Sequence, residues 1–311
     1  MTETENWGII LNAKSGDRRS GRKNTVSDKL KEAGFAGIYC RTEYPGHATE
    51  LARQMVSQGC RQFIVVGGDG SVSETIDGLM TSCVDSRLLT FGIIPSGTGN
   101  DWARYWNIGK KMETNIHILQ QGKTAAIDVG QLSYLRKRQE VTKYFINSVG
   151  IGFDAQVVEQ AERIGKVFRG QSWIYSLALL SSTFIHRSKL IELRSDEEVL
   201  LNDKVYTMSI ANGPYTGGGI KQTPKADPTD GMLEVMAATK LNPVQLVKGL
   251  HSVLSRSYDN PDGIIRRFQS QQLNINTQQR LKIEADGILQ KDSKAPLSIS
   301  IVPAAINMIV P

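Results

Sequence analysis

The stretch Ile64–Glu74 reads IVVGGDGSVSE, an apolar run followed by glycine, aspartate and small polar residues. This pattern predicts a buried strand that ends in a sharp turn and leads into a helix. Glycine at Gly67, Gly68 and Gly70 lets the backbone pass close to a ligand, because no Cβ atom is in the way. The N-terminus of the following helix would present free N–H groups at the same place, which suits an anionic phosphate group.

Asp69 is the charged residue of this turn. A carboxylate would repel a bound phosphate, unless it holds a ribose hydroxyl or a Mg²⁺ ion that bridges to the phosphates. The alternative is an ordinary connection between a strand and a helix with a tight glycine turn. The turn therefore predicts a nucleotide site that involves Asp69, with a purely structural turn as the alternative.

A second pattern of strand, turn and helix follows at Ile93–Asp101, which reads IIPSGTGND. The carboxyl ends of neighbouring parallel strands meet at one edge of an α/β sheet, so the two turns are expected to face one crevice. Thr98 offers a hydroxyl to a phosphate or a ribose. Asn100 and Asp101 either order the turn or cap the next helix, and for Asp101 capping and a functional role carry equal weight.

A third small-residue turn, Asn12–Gly16, follows the first predicted strand and contains the basic residue Lys14. The arginines beyond it are interpreted as solvated surface charge. None of the three turns matches the P-loop pattern or the dinucleotide pattern GxGxxG. The expected nucleotide site is therefore of a different type from either.

The pattern of apolar and polar residues changes near Ala125. Before it, apolar runs alternate with helical patterns, which predicts an α/β domain with a doubly wound parallel sheet covered on both faces. After it, short alternating segments dominate, which predicts a β-rich domain, either an antiparallel sandwich or a partly closed barrel. We therefore predict a nucleotide-binding α/β domain at residues 1–124 and a β-rich domain at residues 125–311.

Several element boundaries matter for the site. The helices after the two glycine turns are predicted at Val72–Met80 and Trp102–Trp106. In the second half, Tyr144–Val149 is predicted as one strand. Helices are predicted around Ala155–Phe184 and Pro243–Leu254.

The composition is that of a globular protein with anionic partners. The chain has 311 residues and a formal net charge of +6, which favours nucleotides, anionic lipid surfaces or nucleic acid without choosing among them. Its three cysteines form no C-x-x-C pair, which indicates reduced thiols in a cytosolic protein and argues against a zinc site. The longest uncharged stretch, Gly170–Ile185, is too short and too rich in serine to span a bilayer, so membrane contact is expected to be peripheral.

Gly67–Ser71 followed by Pro95–Asp101 resembles the diacylglycerol kinase catalytic-domain family, which includes bacterial soluble lipid kinases and the sphingosine and ceramide kinases. The resemblance covers nearly the whole chain. The further landmarks, in the family's order, are Asn12–Gly16 (with Ala13 in place of proline), Asn147–Asp154, Asn212–Gly213, Gly217–Gly219 and Ala226–Gly231. Several ordered motifs are more specific than any one of them.

The resemblance implies an ATP- and Mg²⁺-dependent kinase that transfers the γ-phosphate to a hydroxyl of diacylglycerol or a related lipid alcohol. The partner would be a lipid at a membrane surface rather than a nucleic acid, the location would be cytoplasmic, and a homodimer stays open. Residues 125–311 would bind the lipid, and residues 297–311 would return to the first domain. The segment Ile164–Leu180 is the candidate lipid contact, with a core helix as the alternative, which is preferred for Leu177–Leu180.

The resemblance also implies roles for individual residues. Asp286 and Asp69 are the catalytic candidates. A structural Mg²⁺ is implied at Asp227, Asp230 and the backbone of Met232, although a plain β-turn explains the same residues. The implied nucleotide-binding residues are Asn12, Lys14, Thr42, Gly67, Gly68, Asp69, Gly70, Ser71, Val72, Ser73, Glu74, Gly97, Thr98, Asn100 and Asp101.

One departure from the family concerns its C-terminal Asp-Gly-Glu, which here reads Asp286-Gly287-Ile288. Isoleucine cannot accept a proton from the lipid hydroxyl. Phosphoryl transfer depends mainly on positioning and charge stabilisation, so this loss does not by itself abolish activity. Asp286 is the preferred base and Glu284 a less favoured one, and strand alternation would place residues 284, 286 and 288 on one face.

Two rival functions follow from these residues. The first is a kinase of a soluble substrate, because NAD kinases and phosphofructokinases share a Gly-Gly-Asp-Gly turn in a similar fold. The second turn and the β-rich landmarks argue against it. The other rival is a catalytically impaired protein that binds nucleotide or lipid, and Ile288 is the residue that favours it.

Overall fold

The computed structural model describes residues 6–13, 25–167, 181–182, 186–239, 241, 245 and 264–311. The chain divides into two compact units, Met1–Val129 with Val302–Pro311, and Gly130–Ile301. Lys14, most of the predicted lipid-contact segment and nearly all of the predicted helix Pro243–Leu254 lie outside the described residues.

Parallel strands that alternate with helices build the first unit. The strands are β1 (Trp7–Leu11), β2 (Gly37–Arg41), β3 (Gln62–Gly67) and β4 (Thr90–Pro95). The helices are α1 (Val26–Glu32), α2 (His47–Ser57), α3 (Asp69–Met80), α4 (Asp101–Tyr105) and α5 (Met112–Gln121), with a 3-10 turn at Ser86–Leu88. The strand order is β2-β1-β3-β4, and Asn307 near the C-terminus pairs in parallel with Thr90.

Apolar side chains cover both faces of this sheet. On one face Leu30 of α1 and Leu119 of α5 share a buried cluster with Ile64 of β3. On the other, Met55 of α2 lies beside Phe63, next to Gly8 of β1. The prediction of a doubly wound parallel sheet is confirmed.

Two helix boundaries differ from the predicted ones. α3 begins at Asp69 rather than at Val72, so Asp69 and Gly70 belong to the first helical turn. α4 spans Asp101–Tyr105, one residue earlier than predicted. Helix α5 was not predicted, because Asn115 and His117 interrupt its apolar stripe.

The second unit is β-rich. Its helix α6 spans Phe153–Val167. Strands β5 and β15 each continue into the first unit. The strands are β5 (Thr124–Arg136), β6 (Gln139–Phe145), β7 (Ser148–Gly152), β8 (Lys189–Ser195), β9 (Glu198–Ala211), β10 (Leu233–Thr239), β11 (Ile265–Ser270), β12 (Gln272–Asn276), β13 (Ile283–Ala285), β14 (Ile288–Leu289) and β15 (Ser293–Ile309).

Antiparallel pairing joins these strands in the order β14-β13-β7-β9-β8-β12-β15, and β9 also pairs with β10. The segment predicted as one strand over Tyr144–Val149 belongs to two, because the chain leaves β6 after Phe145 and starts β7 at Ser148. Strand β11 was not predicted, since Arg266 and Arg267 break its apolar pattern. The β-rich class itself is confirmed.

The sheet of the second unit has two different faces. One face is apolar and contributes to a large buried cluster, with members Val149, Ile151, Met208, Ile210 and Ile283. The other face is small and polar, since Gly150 of β7 pairs with Ser209 of β9 and with Glu284 of β13. Asp154 of α6 and Glu284 both lie against Gly150 on that second face.

Strands β13 and β14 form a hairpin that corrects one prediction. Ala285 pairs with Ile288 and Glu284 with Leu289, so Asp286 and Gly287 form the turn between the strands. Asp286 has a φ of 50°. Directly paired residues share a face, so Ile288 lies on the Ala285 face and Glu284 on the opposite one. The expectation that residues 284, 286 and 288 share a face is therefore wrong.

Candidate functional site

The turns after β3 and β4 are in direct contact. The N–H of Ser96 donates to the Gly67 carbonyl over 2.8 Å. A Cβ atom on Gly97 would lie 2.5 Å from the Gly68 Cα, and one on Gly68 would lie 2.9 Å from the Gly97 Cα. Real Cβ atoms do not approach that closely, so the contact requires glycine at both positions. The two turns therefore meet at one edge of the sheet, as the sequence predicts.

Asp69 joins the two turns. Its Oδ1 accepts a hydrogen bond from the N–H of Trp102 over 3.2 Å, in the first turn of α4. Burial raises the pKa of Asp69, while hydrogen bonds from the backbone of Trp102, Asp101 and Asn100 lower it. The carboxylate therefore holds the start of α4 beside the start of α3, and any ligand role of Asp69 is added to this structural one.

Asn100 closes the second turn on itself. Its Oδ1 accepts from the Gly97 N–H over 3.0 Å, and its Nδ2 donates to the Gly97 carbonyl over 2.9 Å. Asn100 adopts a φ of 51°, in the left-handed region that asparagine tolerates better than most residues. Asn100 was expected either to order the turn or to cap the next helix, and these contacts order the turn. Asp101 is the first residue of α4 and is buried, with Arg104 Nε 3.8 Å from its Oδ1.

The first turn and Thr42 extend the same edge of the sheet. Asn12 Nδ2 donates to Ser71 Oγ over 2.7 Å, and Thr42 Oγ1 accepts from the Ala13 N–H over 3.2 Å. The N–H of Asn12 also donates to the Val66 carbonyl over 2.9 Å. The carboxyl ends of β1, β2 and β3 are therefore linked, which brings Asn12, Thr42 and Ser71 together as predicted.

Glu74, another member of the predicted nucleotide set, bonds to the N-terminus of α2. Its carboxylate accepts from the N–H groups of Gly46 and Ala48 over 2.8 and 3.3 Å, at the N-terminus of α2. These contacts are those of a helix cap, and they account for the residue without a nucleotide. Val72 and Ser73 are buried within α3. Gly70 and Thr98 are exposed members of the predicted set.

The arrangement suits a bound anion. The N-cap residue of α3 is Gly68, which has no side chain to satisfy the first N–H groups of this twelve-residue helix. The positive end of the helix dipole is therefore available beside the Gly68–Gly97 contact. Phosphate oxygens are the ligands that such a turn binds best.

A cavity of about 340 Å³ lies at the opposite edge of the sheet of the first unit. Trp7, Gln62 and Thr90, the first residues of β1, β3 and β4, contribute to its walls. Ligands of open α/β sheets bind at the carboxyl ends of the strands. This cavity is therefore distinct from the candidate nucleotide site.

In the second unit, backbone groups hold the carboxylate of Asp286. Its Oδ2 accepts from the N–H of Ile146, and its Oδ1 accepts from those of Asn147 and Ser148, each over 2.9 Å. These bonds join the β13–β14 turn to the start of β7. The residue predicted as a proton acceptor thus has a structural role that the sequence did not indicate.

Glu284 is a second carboxyl group near the same turn. Its side chain is 5 % exposed, and its Oε2 accepts from the Gly287 N–H over 2.6 Å. Burial raises the pKa of Glu284 to about 8, with smaller contributions from the charges of Asp154 and Asp286. A carboxyl group with a pKa in this range can both take up and release a proton near neutral pH.

Two residues of the predicted Mg²⁺ loop bond to the loop itself. Asp227 Oδ1 accepts from the N–H and hydroxyl of Thr229 over 3.0 and 2.7 Å, and Asp230 Oδ1 accepts from the Met232 N–H over 2.9 Å. These are the bonds of the β-turn alternative. Two carboxylates and a main-chain carbonyl are nevertheless oxygen donors of the type that Mg²⁺ prefers. In the described part of the chain, no group of three or more His, Cys, Asp or Glu is placed to hold a metal ion.

Sequence reasoning did not single out three residues of the second unit. Asp154 is half-buried, and burial raises its pKa, although a hydrogen bond from Gln222 Nε2 over 2.9 Å opposes the shift. His186 and Tyr206 pack edge to face with ring centroids 4.8 Å apart. The signal for Asp154 was its place in the Asn147–Asp154 motif, whereas an isolated histidine and a strand tyrosine carry no such signal.

The predicted lipid contact at Lys166, Phe168, Arg169, Trp173 and Tyr175 falls on residues whose side chains the structure does not describe. Across the described residues, helices are either too short or too polar to cross a bilayer. The lipid contact of this segment therefore stays a prediction.

Two family models match the chain. Residues 6–132 match the diacylglycerol kinase catalytic domain, and residues 147–310 match the YegS C-terminal NAD kinase beta sandwich-like domain. The two matched regions include both glycine turns, the Asp286 turn and the Asp227 loop. Together they cover nearly all of the sequence.

Relatives of similar length match over most of their length. A Bacillus subtilis protein named as a candidate lipid kinase, YtlR, is 26% identical over 97% of this chain and 99% of its own. A Bacillus subtilis diacylglycerol kinase is 27% identical over 90% of this chain and 88% of its own. The crystal structure of a candidate diacylglycerol kinase from Bacillus anthracis has a TM-score of 0.75 at 21% identity, covering 100% and 99% of the two chains. At that identity the structural likeness shows the fold alone.

Proposed function

Because the chain belongs to the family in which a diacylglycerol kinase catalytic domain precedes a YegS-type C-terminal domain, we propose that it transfers the γ-phosphate of ATP to a hydroxyl of diacylglycerol or a related lipid alcohol. A lipid kinase of this family uses a nucleotide. ATP as that nucleotide, Mg²⁺ as its counterion and a glycerolipid as the acceptor are parts of the proposal.

The observation that carries the proposal is the contact of Gly68 with Gly97 beside the uncapped N-terminus of α3. It brings the N-terminus of α3 and the Asp69 carboxylate to the turn that contains Thr98, at one strand edge. Phosphate oxygens suit the N–H groups, and a ribose hydroxyl or a metal-bound phosphate suits the carboxylate. A general protein-interaction surface would not need two glycine backbones in contact.

The reaction would proceed by attack of the lipid hydroxyl oxygen on the γ-phosphorus. The new O–P bond forms as the bond to the bridging oxygen of ADP breaks, and a carboxylate of the protein takes the hydroxyl proton. Mg²⁺, when bound with the nucleotide, would offset the charge of the phosphates. Asp286 and Glu284 are the proton acceptors to compare, because the family glutamate is replaced by Ile288.

We further propose that the acceptor is taken from a membrane surface by peripheral contact in the cytoplasm. The net charge of +6 favours an anionic surface. No nucleic-acid partner is proposed, and a homodimer is an open option for the assembly.

The test is incubation with ATP, Mg²⁺ and a total lipid extract, followed by mass spectrometry for a lipid that has gained one phosphate. A parallel incubation with NAD⁺ tests the rival of a soluble acceptor. The Asp69→Asn variant is the control, since it retains an oxygen for the Trp102 N–H but loses the charge. Phosphorylation of NAD⁺ and of no lipid would overturn the proposal.

A second candidate function, an impaired protein that binds nucleotide without turnover, is favoured by Ile288. Ile288 is partly exposed at the start of β14, so a glutamate can be accommodated there. Nucleotide binding without ADP release, together with a gain of activity in Ile288→Glu, would establish this alternative.

A further inference from the structure

The hairpin of β5 and β6 ends in three consecutive basic residues, Arg136, Lys137 and Arg138, called here the basic tip. Arg136 pairs with Gln139, so Lys137 and Arg138 are the two residues of the turn. All three basic residues are exposed, whereas Tyr134 belongs to the buried core of the second unit. The hairpin therefore presents three positive charges to solvent just beyond its buried part.

The backbone of the turn is unfavourable for the residues that occupy it. Lys137 has a φ of 51° and Arg138 has a φ of 68°, both in the left-handed region. A two-residue hairpin turn in which both residues have positive φ is usually Asn-Gly or Asp-Gly, because most other side chains are strained there. The geometry of the turn therefore does not account for a pair of basic residues.

The charges of the basic tip are not neutralised by the described part of the protein. None of the residues Arg136–Arg138 forms an ion pair with another residue that the structure describes. By contrast, the exposed Arg87 and Arg163 lie 2.7 and 3.0 Å from the carboxylates of Asp85 and Glu159. Like charges on neighbouring residues repel one another. An anionic partner would offset this repulsion, so the basic tip suits such a partner.

Two arguments favour an anionic lipid surface over nucleic acid as that partner. Surfaces that bind single-stranded nucleic acid place aromatic rings among the basic residues, so that bases can stack on them. The basic tip contains no aromatic residue, and Tyr134 beside it is only 2 % exposed. The proposed acceptor is itself a lipid, and anionic phospholipids attract clusters of Lys and Arg at the membrane surface.

We propose that Arg136, Lys137 and Arg138 dock the protein on an anionic phospholipid surface, with lipid phosphate groups as their partners. This docking surface rests on the proposed lipid kinase function, because it would hold the enzyme at the bilayer that contains the acceptor. Each basic residue near an anionic leaflet adds to binding, and salt screens the attraction. Binding to anionic vesicles should therefore weaken as salt is added.

The experiment replaces the turn with residues that its backbone favours. The turn variant, Lys137→Asn with Arg138→Gly, removes two charges and relieves the left-handed strain. The control, Lys110→Ala with Lys111→Ala, removes two exposed charges from the first unit. Sedimentation with phosphatidylcholine vesicles, with and without phosphatidylglycerol, measures binding. The thermal midpoint is measured without lipid, and turnover is measured on dissolved dioctanoylglycerol without vesicles.

We expect the turn variant to keep or raise the thermal midpoint and to bind vesicles that contain phosphatidylglycerol at least tenfold more weakly. The control should bind these vesicles within twofold of the wild type. Arg136→Gln, which changes a residue outside the turn, should also weaken vesicle binding. Turnover of dissolved dioctanoylglycerol should be the same in the wild type, the turn variant and the control.

Equal vesicle binding by the wild type and the turn variant, or no binding by the wild type, would overturn the proposal. Tighter binding of the wild type to duplex DNA than to these vesicles at the same salt concentration would overturn it as well. Vesicle binding through the basic tip without lipid phosphorylation would contradict the proposed function and leave the docking surface standing. Lipid phosphorylation with equal vesicle binding by the wild type and the turn variant would do the reverse.

Discussion

Gly68 and Gly97 bring the two glycine turns into backbone contact, since a Cβ atom on Gly97 would lie 2.5 Å from the Gly68 Cα. The neighbouring atom is backbone, so it cannot move aside as a flexible side chain would. The separation of the two turns therefore depends on the absence of both side chains.

Gly97→Ala should force the turns apart. We expect a loss of stability of about 1–3 kcal/mol, the usual range for overpacking, and at least a tenfold loss of nucleotide affinity. Gly109→Ala is the control, because its Cβ would meet no atom within 4 Å. Urea unfolding and calorimetry with ATP measure the two effects. Nucleotide affinity unchanged in Gly97→Ala would show that the contact does not shape the binding site.

Asp69 combines a structural and a chemical role, and two substitutions separate them. Asp69→Ala should cost about 0.5–2 kcal/mol, as the loss of a helix cap does, and should also abolish lipid phosphorylation. Asp69→Asn can still accept from the Trp102 N–H, so we expect near-native stability with at least tenfold lower kcat. Full turnover by Asp69→Asn, measured with radiolabelled ATP, would remove the charge of Asp69 from the mechanism.

The sequence was sufficient for the parts of the site that glycines define. Gly68 and Gly97 were predicted to converge, because turn chemistry and the strand edge rule are local and general. Glu74 was assigned to the nucleotide site because it follows the same motif, yet its carboxylate caps α2, an element 26 residues earlier in the chain. Contacts of that range are fixed by tertiary packing, which no local pattern contains.

The region around Asp286 shows the other limit of sequence reasoning. Strand alternation was extended through residues 284–288, but a two-residue turn at Asp286 and Gly287 reverses the chain there. Glycine after aspartate is a turn signal, and it was available in the sequence. The three N–H groups that bond to Asp286 come from residues 146–148, which are close only in the folded chain.

Asp286→Ala should lose stability as well as activity. Three N–H groups would lose a charged acceptor, for which we expect a loss of at least about 2 kcal/mol. The stability of Asp286→Asn should lie between that of the wild type and that of Asp286→Ala. Its one oxygen can still accept a hydrogen bond, whereas its amide group would face the Ile146 N–H. Urea unfolding without substrate measures the free energy of unfolding of both variants. If Asp286→Ala is as stable as the wild type but inactive, the carboxylate serves the chemistry rather than the turn.

Glu284 gives a pH dependence that can be tested without any substrate. The pKa of Glu284 is raised from 4.5 to about 8 in the folded chain, so the folded protein binds a proton that the unfolded chain releases between these values. Its contribution to stability is complete below pH 4.5 and is lost as the pH rises towards 8. The free energy of unfolding should therefore fall by about 1.4 kcal/mol per pH unit in this window because of Glu284.

Glu284→Gln removes this proton linkage but keeps an oxygen for the Gly287 N–H. We expect its free energy of unfolding to depend less steeply on pH than that of the wild type between pH 5 and 8. The stability of the variant relative to the wild type should therefore increase as the pH rises. Asp154 and Asp286 face Glu284 and remain in both proteins, so the difference isolates the one carboxyl group. Glu198→Gln, at an exposed position, should leave the slope unchanged. If the free energies of unfolding of the wild type and Glu284→Gln depend equally on pH, Glu284 is ionised in the folded protein. The buried Glu284 carboxylate, which lies beside Asp154, would then need a cation or solvent to stabilise it.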